Sequence, residues 1–177
     1  MSDATLELGP CEVKFGTDGA EVSLGKTQGG VVVTFSQDAA DLMSDQYGTG
    51  VEDKVITGHG ATITIPMAQY DASNLAIALN QTKKQIGDQE GVKGSSLVGT
   101  KYSSKGQSLL LTKYEDGVVS SDENDRIRFP NCTPDGNFSV NFSVTDQRVM
   151  EVTFIALPDA NDVLYFLGDE DAAESGS

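Results

Sequence analysis

"DLMSDQYGTGVEDKVITGHGATITIPM", residues 41–67, changes character half-way along. Its second part, "KVITG" and "ATITIPM", reads as β-strand: Ile63, Ile65 and Met67 fall on one face of a period-two pattern and Thr62 and Thr64 on the other. Its first part is polar, acidic and punctuated by glycine. That part runs straight out of "GGVVVTFS", residues 29–36, whose three valines and Phe35 predict a strand buried on much of both faces. A polar segment over residues 37–54 therefore separates two strong strands and carries little that could fill a core.

Outward from this stretch the alternation continues. "CEVKFG" sets Val13 and Phe15 against Glu12 and Lys14, and "AEVSLG" repeats the pattern with Val22 and Leu24; glycines at 16, 19 and 25 supply turns. On the other side lies one helix signal, "YDASNLAIALNQTKK". Ala72, Leu75, Ala76 and Leu79 recur at helical spacing, Asp71 or Ser73 can cap the start, and Lys83 and Lys84 stand near the expected C-terminus. Beyond a Gly- and Ser-rich stretch, with "SSLVGTKY" as a short strand candidate, "SLLLTKY" reads as a firmer strand and "EDGVVSSDENDR" as a second polar excursion. "NFSVNFSVT" and "VMEVTFIAL" predict an antiparallel hairpin turned by "DQR". One apolar side comes from Phe138, Val140, Phe142 and Val144, and its partner from Met150, Val152, Phe154 and Ala156. "VLYFLG" closes the fold. The division expected is a domain over residues 1–167 and a disordered acidic tail over residues 168–177. Many strands with one amphipathic helix predict a mainly antiparallel β-sandwich or barrel, the helix packed at one edge or end.

The 177 residues suit one domain. Twelve Lys and Arg against 27 Asp and Glu give a net charge of −15, which argues against clustered phosphate contacts and against docking on anionic membranes. Solubility is one reading of this acidity; a surface that must not hold nucleic acid is another. Cys11 and Cys132 fit neither a disulfide scaffold nor a zinc site; free thiols are the default reading and a single disulfide between them the alternative. The first residues, "MSDATLELG", show neither a basic nor an apolar signal region, so synthesis in the cytosol is expected.

The residues present little catalytic chemistry. His59 is the only histidine and sits between glycines in "TGHGAT", a turn or interface position. "SSDENDRI" has Arg126 where a calcium loop needs an oxygen and lacks the loop glycine, so it reads as a solvated acidic loop. "GTG" and "GHG" do not open a helix as phosphate loops do. Catalytic, cofactor-binding and metal residues are each expected to be none, and the chain is expected not to be an enzyme.

Taken in order, "LELGPCEVKFG", "SLGKTQGGVVVTF", "DLMSDQYGTGVEDKVITGHGATITIPM" and "DASNLAIAL" resemble the major tail, or tail tube, proteins of long-tailed bacteriophages. The positions that carry the likeness are Gly9 and Pro10, Leu24 and Gly25 with Gly29, Gly30 and Val31, Asp45 and Gln46 with Gly48, Thr49 and Asp53, and Asn74 and Leu75 with Ala78 and Leu79. They span a little under half of the chain. The later half matches only as strands in the right places.

The resemblance implies a tail-tube-like fold, shared with type VI secretion tube proteins: a β-sandwich closing towards a barrel, one flanking helix and a long extended assembly loop. It implies hexameric rings stacked into a hollow tube, in the virion tail, of a protein made in the host bacterial cytoplasm. Its partners would be itself and other tail proteins (tape measure, terminators, baseplate or tip), with genomic DNA passing through unbound. The loop between subunits and rings would include Asp41, Leu42, Asp45, Gln46, Tyr47, Gly48, Thr49 and Asp53, and Leu75 and Leu79 would pack the helix. A monomeric β-sandwich binding or adhesion module is the alternative, though the chain has no Trp and only five Tyr to present to a ligand.

Overall fold

The computed structural model describes residues 10–43, 50–68, 71–86, 88–95, 98–137 and 149–174. It is mainly antiparallel β with few helices. β1 (Cys11–Gly16) buries Val13 and Phe15 as its alternation predicts, and a turn with Gly19 at φ 74° leads into β2 (Val22–Ser23). β3 (Val32–Leu42) and β4 (Asp53–Met67) form the longest pairing, from Val32↔Thr64 to Leu42↔Asp53. Val31 and Val33 pack against the core, but Val32 and Phe35 are exposed, so β3 is an edge strand and not one buried on both faces.

α1 (Ala72–Ala78) begins where Asp71 accepts the Asn74 backbone N–H at 2.7 Å. It is much shorter than the sequence signal. Asn80 adopts φ 53°, its N–H reaches the Ile77 carbonyl at 2.9 Å, and the Gln81 N–H reaches the Ala76 carbonyl at 2.9 Å. These two bonds form a Schellman stop, which spends the last helical carbonyls and turns the chain out. Lys83 and Lys84 then lie in β5 (Thr82–Ile86), paired with β6 (Gln89–Lys93) in a separate two-stranded sheet, and not on the helix. The buried helix positions are Asn74, Ala76 and Ala78; Leu75 is partly buried against the core, and Leu79 is half-buried. Asn74 is buried because its side-chain amide donates to the Leu24 carbonyl at 3.0 Å, pinning the helix to the chain after β2.

A 3-10 turn (Tyr102–Lys105) precedes β7 (Gln107–Glu115), so "SSLVGTKY" forms no strand among its described residues. Asp116 and Gly117, both at positive φ, turn β7 into β8 (Val118–Val119). β9 (Arg126–Pro134) lies between β7 and β10 (Met150–Ala156), and β11 (Phe166–Leu167) pairs with β9. Met150, Val152, Phe154 and Ala156 are all buried, the face read from the sequence; the proposed partner strand of that hairpin, residues 138–144, lies outside the described residues.

The sheet order is β2-β1-β7-β9-β10-β4-β3. It closes on itself through the chain after β2. The Leu24 N–H bonds the Val13 carbonyl at 2.9 Å. Thr27 bridges Met67, Gln28 N–H bonds Pro66, and Lys26 accepts from Ala68. The enclosed core centres on Phe15, whose ring meets Phe154 at 5.1 Å, with Phe129, Ile63, Ile65 and Met150 fully buried. Each such side chain contributes about 1.5–3 kcal/mol by burial. Cys11 lies opposite Lys113 and Cys132 opposite Gln107, at opposite ends of β7, and both thiols are free.

The described chain ends in a short helix within the stretch read as an acidic tail. α2 (Glu170–Glu174) is held by an ion pair from Arg128 to Glu170, and the same guanidinium bonds Asp18 at 2.6 Å and Ser108 Oγ at 3.3 Å.

Candidate assembly surfaces

β10 pairs with β4 only from Thr62 to Met67, whereas β3 pairs with β4 as far out as Asp53. The remainder of the β3–β4 ladder is therefore an arm that leaves the barrel. The segment read as a polar loop is, for residues 37–42 and from Asp53 on, a β-hairpin. Hydrogen-bonded pairing satisfies its backbone, and water on both faces accounts for its polar composition. A bulge lies between Asp38 and Ala39, and the ladder runs on with Glu52 N–H donating to the Leu42 carbonyl at 2.9 Å.

Gly58 and Gly60 belong to this hairpin. A Cβ on Gly60 would stand 2.8 Å from Ser36 Oγ, so a side chain there would have to turn the Ser36 hydroxyl aside. His59 is exposed in mid-strand opposite Gln37 and is not in a turn. At the base, the Phe35 ring meets Tyr165 in a tilted contact at 4.8 Å and Tyr165 meets Phe129 edge-on at 6.3 Å, which ties the arm to the barrel through one aromatic chain.

Of the predicted interface residues, Asp41, Leu42 and Asp53 fall on this arm. Asp41 pairs across the ladder with Lys54, their side chains 3.1 Å apart, and Leu42 is opposite Asp53. Asp45, Gln46, Tyr47, Gly48 and Thr49 lie outside the described residues. Register places Ala40, Leu42, Asp53 and Val55 on one face, and Ala39, Asp41, Lys54 and Ile56 on the other. Seven of the fourteen exposed large hydrophobic residues among those described lie on β3, β4 or their junction: Val32, Phe35, Leu42, Met43, Val51, Val55 and Ile56. Such a concentration makes the arm the candidate contact surface. Sequence reading missed Met43, Val51, Val55 and Ile56. The signal was their presence in a segment otherwise too polar for a core.

Elsewhere the acidic groups are spent locally. Asp122 caps a 3-10 turn (Glu123–Asp125) by accepting the Asn124 N–H at 2.9 Å, which holds its carboxyl below the usual range, and Asp125 accepts from Ser120 Oγ at 2.6 Å. Burial pushes the Cys132 thiol up to about 12 and raises that of Cys11, so neither is poised as a nucleophile. Among the described residues no three His, Cys, Asp or Glu gather as a metal site, and no helix is long and apolar enough to cross a membrane.

No protein-family profile and no curated protein sequence matches the chain. Among solved structures it is similar to a chain of the sheath-tube complex of an extracellular contractile injection system (PVC) in its extended state. The TM-score is 0.54 at 15% identity, over 88% of this chain and 90% of that one. The fold is tail-tube-like. At this identity the likeness is one of architecture. The present chain joins a closed barrel to a long paired arm.

Proposed function

We propose that this chain is a structural subunit that assembles with copies of itself into stacked hexameric rings, forming the hollow tail tube of a long-tailed phage virion. The observation that carries this reading is the arm: a regularly paired hairpin that leaves the barrel and exposes apolar side chains on both faces. A hairpin standing alone in water is only marginally stable, and its apolar faces gain burial only against other chains. The exposed edge of β3 is a second surface that a neighbouring sheet can extend. The role is structural and not enzymatic. Tape-measure, terminator and baseplate or tip proteins are its partners in the tail, and it is made in the host cytoplasm. The net charge of −15 suits a conduit for DNA, because carboxylates repel passing phosphates. Electron microscopy of the purified chain at rising concentration tests the reading. Rings and hollow tubes of uniform width are expected. Monodisperse particles the size of one subunit at every concentration would sink it and favour a binding module.

A further inference from the structure

The acidity is uneven. Five of the twelve Lys and Arg residues, Lys83, Lys84, Lys93, Lys101 and Lys105, fall between residues 83 and 105. The structure gathers three of them around one furrow. A cavity of about 510 Å³ has Phe15, Ala76, Ile77 and Pro134 as its apolar floor, with Lys83 and Lys105 at the rim. A second, of about 250 Å³, continues it past Leu79 and Tyr102 to Lys101; the two share Asn80, Gln81 and Lys105. The furrow thus runs between the C-terminal end of α1 and the 3-10 turn before β7.

Resting on the assembly reading above, we propose that this furrow is the receptor for the arm of a second copy of the chain. The face of the arm that carries Ala40, Leu42 and Val55 fits the apolar floor, and Glu52 and Asp53, at its outer end, meet Lys101 and Lys105. The charges are complementary. The described arm holds Asp38, Asp41, Glu52 and Asp53 against Lys54 alone, and only Asp41 is matched by that lysine in an ion pair. Geometry requires the second copy. β4 begins at the outer end of the arm with Asp53 and ends at Met67, beside α1, so arm and furrow lie at opposite ends of a strand about 50 Å long. An arm cannot reach its own furrow. Contacts of this head-to-tail kind propagate into closed rings or open helical stacks.

A nucleic acid suits the furrow less well. Lys83 is already paired with Glu90 at 2.6 Å, which leaves Lys101 and Lys105 to face an occupant, and Asp135 lines the same space. The floor is apolar, with no stripe of cations along a track.

Mixing Met43→Cys copies with Gln81→Cys copies tests the contact directly. Both residues are away from the core, and a disulfide between the two variants can form only between chains. Oxidation is expected to give a heterodimer band that neither variant gives alone. In parallel, Lys101→Glu/Lys105→Glu and Glu52→Lys/Asp53→Lys are each expected to slow polymerisation about tenfold at low salt, and their combination to restore it. Melting at the parental temperature confirms that each variant folds. Tubes that form without the cross-link, at the parental rate in both charge variants, would overturn the furrow as receptor and leave the tube reading standing. A parent that gives neither polymer nor cross-link overturns both. Binding of single-stranded DNA that Lys101→Glu/Lys105→Glu removes, without the cross-link, would replace the arm by a nucleic acid.

Discussion

Cys132 shows how far a single environment moves a group. Its thiol is fully buried on β9, and desolvation lifts its pKa to about 12. In the unfolded chain it titrates near 8.5. Below about pH 8.5 both states hold the proton and the thiol adds no pH dependence to stability. Above that, the unfolded chain releases its proton while the native chain keeps it, so stability falls as pH rises towards 12. The loss is roughly 3 kcal/mol by pH 11. Cys132→Ala removes it. Urea unfolding at pH 8 and pH 11 is expected to show a smaller pH effect in the variant than in the parent, even though the variant is less stable at pH 8. Equal losses in both would mean that the thiol titrates normally. The sequence shows two unclustered cysteines; the depth of one of them depends on which strands flank β9, which spacing does not carry. Asn74 is a similar case. A polar residue on a helix reads as exposed, and only the position of the Leu24 carbonyl explains its burial.

At the scale of elements, legibility followed the number of wetted faces. Strands with one face in water, β1, β4 and β10, announce their buried residues by alternation, and those residues are buried as read. The arm has water on both sides, so alternation vanishes and the hairpin passes for a loop. α1 was overrun for a local reason, since only the αL backbone of Asn80 reveals the stop. At the acidic end the ion pair is a distant one. Glu170 is held by Arg128, forty-two residues earlier, and nothing within the tail itself foretells that pairing. The pair sets a prediction. A chain lacking residues 169–177 is expected to fold, because Asp18 and Ser108 still engage Arg128 and no core residue is removed. Its loss of about 1 kcal/mol should lower the melting temperature by about 2–4 °C. Glu170→Gln should account for most of that shift; a truncation that unfolds the chain would make α2 part of the domain.

For the whole molecule, the arm is separable from the fold that carries it. The core cluster draws on residues up to Val33 and from Ala61 onward, and on nothing between them. Asp41 and Lys54 already stand opposite each other in the ladder, so a four-residue Gly-Ser turn can join Asp41 to Asp53 in place of residues 42–52. Shortening the connection changes closure entropy by less than about 1 kcal/mol. The shortened chain should therefore melt within a few degrees of the parent. Its assembly should behave differently, because Leu42, Met43 and Val51 leave with the tip, and with them Glu52. With fifteen net negative charges on each copy, subunits repel at low salt, and association needs specific contacts to overcome that repulsion. Removing the tip is expected to leave a soluble monomer at concentrations where the parent sediments as polymer. Thermal melting by circular dichroism beside sedimentation velocity decides the matter. A tipless chain that polymerises like the parent would place assembly on the β3 edge alone, and one that fails to fold would return residues 42–52 to the core.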